Sequence, residues 1–485
     1  MAKIYYNTRA MRASLLITCL FCLPFLSHSQ SKAAANAGSN SVTPPVVVPD
    51  TTKNSLLLPV VVKDTGKVQY FTLKQCIDYA LQHQPNLNIS LINVDVAKTS
   101  NAIALSGWLP QVNASGDLIH NIQTNNSASV TTPTGSTSTT NRTTYTNSFV
   151  PGVAVTQAIF NQSLLYAYKS APLYVKQAQQ ITDSTKIFLV SSVSKSFYTL
   201  LNTLEQINVF KEDTARLGRS LRDAYHQYKG GIVDETDYEQ ADITLNNSKA
   251  QLKQANENVV PQYAVLKRLL GFPPDKQFNV VFDTLEMMNS IHIDTTEQLQ
   301  YEKRIEYQEI KTNKDLQSQL INYYKFQWLP TLSAFFNYNL TFANNNYNDL
   351  LNSSYPNSYV GLSFSLPIFT GFSRTNNVKK AKLQQQILDW SETDLKSAIN
   401  VEYTSALANY KGNYYNLQLL QRNVNLARRV YFVVDLQYKQ GIVPYLNVIT
   451  AESNLMTSEI SYLNALFQVL SNKIDLQKAM GNISY

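Results

Sequence analysis

Histidine is the side chain best suited to proton transfer and metal ligation near neutral pH. Beyond the first 29 residues the chain carries His83, His120, His226 and His292, far apart and without a His-Glu-x-x-His spacing. It has no Gly-x-Ser-x-Gly elbow and no phosphate-binding loop. No constellation for catalysis, metal or cofactor emerges, and the chain is not expected to be an enzyme or to need a cofactor. Two other kinds of chemistry are present. Carboxylates crowd behind a glycine pair: Asp234, Glu235 and Asp237 follow Gly230-Gly231. At the start of a helix such acids complement the helix dipole. The second kind is partition between oil and water, written along two extended stretches.

The clearer stretch runs over 331–342, where Leu332, Ala334, Phe336, Tyr338, Leu340 and Phe342 alternate with Thr331, Ser333, Phe335, Asn337, Asn339 and Thr341. After an Asn-rich loop (Asn344, Asn345, Asn346, Asn348), Val360, Leu362, Phe364, Leu366 and Ile368 alternate with Tyr359, Gly361, Ser363, Ser365 and Pro367. Successive strand side chains point to opposite faces, so the pattern predicts a hairpin with one greasy and one wet face, strands near 330–342 and 358–369. Each strand has about the length that crosses a bilayer at a tilt. A hairpin covering a soluble core would alternate in the same way.

Residues 1–29 read as a secretory signal: a basic start, an apolar run from Ala13 to Leu26, then Ser27-His28-Ser29. Its removal takes Cys19 and Cys22 with it, leaving Cys76 alone and excluding intrachain disulfides. Loss of Lys3, Arg9 and Arg12 leaves 38 basic against 34 acidic residues, too even and too scattered for a nucleic-acid footprint. Residues 30–70, with Pro44-Pro45, Pro49 and Pro59, read as an extended arm. No later apolar run reaches 18 residues, so any membrane contact is made by strands.

From Phe71 the pattern turns helical, with Thr72 as N-cap, and a second helix is expected from about Asn86 to Trp108. A weaker hairpin follows, with strands near 110–122 and 147–160 around a polar loop over 123–147. A very long helix then runs towards a turn at 228–234, with Pro172 expected to kink it or mark its start. A return helix ends at Gly271. The order then repeats. Trp108-Leu109-Pro110 recurs as Trp328-Leu329-Pro330, Tyr228-Lys229-Gly230-Gly231-Ile232-Val233 as Tyr438-Lys439-Gln440-Gly441-Ile442-Val443, and Leu270-Gly271 as Met480-Gly481. This predicts two structural repeats, 71–290 and 291–485, the second turning at 438–445.

The helices carry coiled-coil seams, for instance Leu446, Ile449, Ser453, Met456, Ile460, Leu463, Phe467, Leu470 and Ile474, with a second line through Leu455, Tyr462, Leu466 and Val469. Two seams fit a helix with a neighbour on each side, as in a tube; a solid antiparallel bundle would carry them too. Open sheet edges cannot sit in lipid, and single-chain bacterial barrels begin at about eight strands. With four strands per chain, a transmembrane barrel here has to be shared between chains. The fold class expected is mainly α with β: long antiparallel coiled-coil helices plus four strands contributing to a shared transmembrane barrel.

Over about 71–485 the sequence resembles the TolC-like outer membrane factors, the exit ducts of tripartite efflux pumps and type I secretion systems. The resemblance is carried by the duplicated order of elements and by Pro367-Ile368-Phe369-Thr370-Gly371 after the last strand. Gln437-Tyr438-Lys439-Gln440-Gly441, followed by Leu446, Val448, Ala451 and Glu452, carries it at the second turn. It implies a homotrimer with a twelve-stranded barrel in outer membrane lipid and a twelve-helix α-barrel in the periplasm. The implied partners are a periplasmic adaptor (membrane fusion) protein and an inner membrane transporter. Gly230, Gly231, Gly441 and Ile442 would form the docking tips, and Leu332, Phe336, Tyr338, Leu340, Leu362, Phe364 and Leu366 the lipid face. The resemblance also implies that Tyr438 hydrogen-bonds Asp237 to hold the tip shut. The family's arginine two residues past the second turn glycine is Val443 here, and its ring-forming acids are Asn447 and Thr450. The tip lock is therefore expected to be weaker, with Asp234, Glu235 and Asp237 the candidates for a charged ring. The residue patterns by themselves also admit a soluble periplasmic coiled-coil scaffold or a passive outer membrane porin or receptor.

Overall fold

The computed structural model describes residues 69–122, 145–282, 291–293 and 298–484, with the backbone of strands 128–131 and 137–140. Contacts divide the chain into Met1–Gly66 and Lys67–Tyr485, and every described residue belongs to the second unit. The signal segment 1–29 and nearly all of the arm 30–70 lie outside the described residues.

Strand β1 (Gln69–Phe71) leads into α1 (Leu73–His83) and α2 (Pro85–Leu105). Thr72 and Gln75 cap α1 reciprocally, as Thr72 predicted, and α2 starts on Pro85 with Gln84 accepting from the Leu87 amide at 2.7 Å. Strand β2 (Gln111–His120) follows, then β3 (Ala128–Thr131), β4 (Thr137–Thr140) and β5 (Asn147–Phe160). Helix α3 (Gln162–Lys229) and α4 (Glu235–Leu270) form the first long hairpin, and β6 (Phe278–Val280) closes this part. Helix α5 (Ile305–Phe326) then precedes β7 (Thr331–Asn344), β8 (Ser354–Ser365), α6 (Ser373–Lys439) and α7 (Tyr445–Met480). At 1.5 Å per residue, α3 and α6 are each about 100 Å long.

Four expectations change. The start of α3 is set by Asn161, whose side chain accepts from the Ser163 amide at 2.8 Å, and the helix runs on through Pro172. The polar loop over 123–147 contains a small hairpin, β3 against β4. Gln69 and Tyr70 belong to no extended arm: with Phe71 they pair in parallel with 278–280, a contact between stretches some 200 residues apart that no local pattern announces. Strand β8 is shifted towards the loop, starting at Ser354 and ending at Ser365, so Leu366 and Ile368 lie beyond it.

The main sheet is antiparallel in the order β2-β5-β7-β8. Register places directly opposed residues on one face. Val112, Val155, Phe336 and Val360 form one such row, and Ala114, Val153 and Tyr338 the next. The other face carries Asn113, Ala154, Asn337 and Tyr359 in line. Phe335, the one greasy residue at a wet position, is explained by its partner. It lies over Gly361, where a Cβ would sit 2.6 Å from its ring, and its edge meets Tyr359 at 6.0 Å between centroids.

The core lies elsewhere, where α1, α3, α4, α6 and α7 meet around Cys76, Phe197, Leu201, Leu266, Leu417, Leu466 and Leu470. The sheet contributes nothing to it. Every residue of β2 is exposed, and so is nearly every residue of β8, with Leu362 68% and Phe364 64% accessible. Phe336 and Tyr338 are likewise exposed, while Leu332 and Leu340 are half-buried.

Candidate functional site at the helical turns

Each long hairpin reverses through the same hydrogen-bonded turn. The Ile232 amide donates back to the Gln227 carbonyl at 2.9 Å, and the Ile442 amide to Gln437 at 2.9 Å. The Gly231 and Gly441 amides close the inner bond, to Tyr228 at 3.0 Å and Tyr438 at 2.9 Å. This is a Schellman closure, which needs a left-handed residue after the helix. Gly231 and Gly441 supply it, both at φ +70°. Ile232 and Ile442 then project into solvent, 74% and 68% exposed. Gly230 stays right-handed, at φ −81°.

The return helices begin alike. The Asp237 amide donates to the Asp234 carbonyl at 3.2 Å, and the Asn447 amide to Pro444 at 3.1 Å. Asp234 occupies the N-cap of α4 without a side-chain cap bond, and Glu235 and Asp237 lie in the first turn. Asp234 and Glu235 are exposed and Asp237 half-buried, so the three carboxylates are held as a solvated helix start. Asn447 and Thr450 are exposed on α7, the Thr450 hydroxyl donating to its own helix at Leu446, 2.8 Å.

Tyr438 is buried, at 6% exposure, in a cluster with Ala224, Ala241, Tyr445 and Val448. Its ring lies 5.4 Å from that of Tyr445. The expected hydrogen bond to Asp237 is not the one formed: the Tyr438 hydroxyl donates to Gln227 Oε1 at 2.8 Å. Gln227 lies in the last turn of α3, so this bond still ties the two hairpins together. Asp237 acts at a distance. Burial, with Asp237 and Asp223 nearby, pushes the Tyr438 hydroxyl up to about 12.

Further from the turns lies a set of charges of which the sequence singled out only Glu452, as part of the pattern after the second turn. Arg216 Nε donates to Glu452 Oε1 at 3.0 Å, and Arg216 Nη2 to Asp213 Oδ1 at 3.5 Å. Ser248 Oγ of α4 donates to Asp213 Oδ2 at 2.7 Å. Arg428 donates twice to Glu459 Oε1, at 2.9 and 2.8 Å. Glu452 and Asp213 are each 2% exposed and Glu459 7%. Their signal was in the sequence. Tyr445, Val448, Glu452, Leu455, Glu459, Tyr462, Leu466 and Val469 alternate by three and four, so both glutamates sit in an apolar stripe. Asp213 sits likewise in line with Leu217, Ser220 and Ala224. Among the described residues no group of His, Cys, Asp and Glu is placed to hold a metal ion.

Two long helical hairpins continuous with an exposed four-stranded antiparallel sheet make the fold of solved outer membrane channels. CusC, whose crystal structures concern transmembrane channel formation, superposes with a TM-score of 0.70 at 18% identity, over 89% of this chain and 98% of that one. The outer membrane channel CmeC of Campylobacter jejuni superposes with a TM-score of 0.66 at 20% identity, over 84% of this chain and 85% of that one. In sequence, outer membrane protein TolC of Vibrio cholerae serotype O1 is 20% identical over 342 residues, 69% of this chain and 76% of the relative. TolC of Escherichia coli K12 is 22% identical over 370 residues, 70% of each. The profile of the outer membrane efflux protein family matches residues 76–272 and 308–482, and the chain belongs to that family. It is an outer membrane protein with a periplasmic portion, in a family of efflux channels rather than enzymes.

Proposed function

We propose that three copies of this chain form one exit duct, which passes cargo from the periplasm to the exterior. Twelve strands close a barrel in outer membrane lipid, and the paired hairpins close an α-barrel below it, gated at the helical turns. The two structural repeats, 71–290 and 291–485, each contribute one strand pair and one helical hairpin. A periplasmic adaptor protein meets the turns at Ile232 and Ile442 and links the duct to an inner membrane transporter.

The observation that carries this reading is the sheet. Among the described residues its apolar face, with Val360, Leu362 and Phe364, is exposed, and the outer edges of β2 and β8 have no strand partner. Such edges in lipid cost several kcal/mol per unpaired group unless they close on another copy. A soluble coiled-coil scaffold would bury that face, and a simple porin has no use for helices of about 100 Å.

The experiment is light scattering of the detergent-purified chain, followed by reconstitution in planar bilayers. A trimeric mass with discrete conductance steps is expected. A monomer that stays folded without detergent would overturn the reading. Cysteine crosslinking from Ile232 and Ile442 in intact cells tests the docking; capture of no periplasmic adaptor from either position would remove that part.

A further inference from the structure

The two hairpins, α3–α4 and α6–α7, meet along α3 and α7, and the half-buried guanidinium of Arg216 bridges that seam. Arg216 of α3 faces Asp213 on its own helix and Glu452 across the seam. We propose that Asp213, Arg216 and Glu452 form a proton-operated clasp between the hairpins, tight when Glu452 carries a proton and loose when it is ionised. The clasp itself needs only the packing of one chain. Its effect on conductance rests on the duct reading above.

The charge count is the argument. One guanidinium serves two carboxylates that are both almost wholly buried, so one negative charge is left over. Asp213 has two donors, Ser248 and Arg216. Glu452 has only its Oε1 engaged; among the described residues Oε2 is buried with no hydrogen-bond partner. A buried ionised oxygen without a donor is costly, and a proton there removes the surplus charge and turns the oxygen into a donor.

Asp213 and Asp435 push the same way, and Arg216 opposes them. From α6 come Asp435 and Tyr431, whose ring lies 5.9 Å from the Arg216 guanidinium. From α7 itself come Tyr445 and Glu459, the latter held on one oxygen by Arg428 of α6. Helix α3 adds Glu212, exposed and 3.8 Å from Arg216, and Arg219 near Tyr431. Helix α4 presents Ser248, which is neutral. Burial first, then Asp213, raises the Glu452 carboxyl to about 7, with Arg216 opposing. A raised carboxyl means that the folded chain holds more protons than the unfolded one between the ordinary carboxylate range and pH 7. Stability contributed here therefore falls as pH rises through that window and is level above it.

The test is a pair of measurements on the full chain in detergent and in planar bilayers, from about pH 5.5 to about pH 8.5. For the wild type we expect the melting temperature to fall and the conductance to rise severalfold across this range. Glu452→Gln still accepts from Arg216 and cannot ionise, and it should hold both readings near their acid values. A wild type flat in melting temperature, or a Glu452→Gln variant with the same slope, would end the proposal. Should Glu452→Gln not assemble, hydrogen exchange of wild-type backbone amides over 213–220 and 445–455 decides, after correction for intrinsic rates. Protection lost above about pH 7 supports the clasp, and constant protection sinks it. A pH-dependent melt in a chain that never conducts would keep the clasp and sink the duct.

Discussion

At Tyr438 one hydrogen bond separates this chain from the pattern it resembles. The hydroxyl donates to Gln227, and Asp237 contributes only charge nearby. A net hydrogen bond of this kind contributes about 1 kcal/mol. Tyr438→Phe and Gln227→Ala should each destabilise the tip by about that amount, and together by little more, because they remove the same bond. Asp237→Ala should leave the bond intact and change stability less. A double-mutant cycle on thermal unfolding reads the coupling directly. Coupling of Tyr438 to Asp237 and not to Gln227 would restore the pattern implied by resemblance. Tyr438 itself was legible, since its seam position and the turn after it are both in the sequence. Its partner was not, because a side-chain bond between residues 211 positions apart depends on how two hairpins rotate against each other. Glu452 was legible as part of the pattern after the second turn, but its burial against Arg216 was not, and Glu459 and Asp213 were hidden because a charge inside an apolar rhythm does not announce its partner.

The turns show how one substitution changes sign with backbone conformation. Gly231 and Gly441 sit at φ +70° with open space where a Cβ would go. Alanine at either position meets no atom, so its cost is the left-handed backbone alone, about 1–2 kcal/mol. Gly218, inside α3, also has open space around it but an ordinary helical conformation. Alanine there should stabilise by about 0.5–1 kcal/mol. Melting curves of Gly441→Ala and Gly218→Ala should therefore move in opposite directions, and movement of both in one direction would contradict this account of the turns. Long helices, their seams and both glycine turns were readable because each rests on local spacing. The parallel pairing of β1 with β6 was not, because a three-residue strand has no period to recognise. The end of β8 was misplaced for the opposite reason: alternation continues past Ser365 through Leu366 and Ile368, although the ladder stops.

In the proposed shared barrel the sheet would have to satisfy two solvents at once. Register aligns Leu362 with Ala334 on one face and Ser363 with Ser333 on the other. Both β8 residues are exposed in the single chain, so exposure cannot tell the faces apart; only the surroundings of the assembly can. If the apolar face meets hydrocarbon, arginine at Leu362 must be moved into lipid, at about 2–4 kcal/mol per chain near the midplane. That cost is paid in every copy of the barrel, whereas arginine at Ser363 would face a wet lumen and keep its hydration. Leu362→Arg should therefore reduce the amount of assembled protein recovered from outer membranes, while Ser363→Arg should leave assembly intact and shift the ion selectivity of the channel towards anions. Equal recovery of the two variants would mean that the two faces share one solvent. The sheet would then need a protein partner in place of a bilayer, and the shared barrel would lose its physical basis.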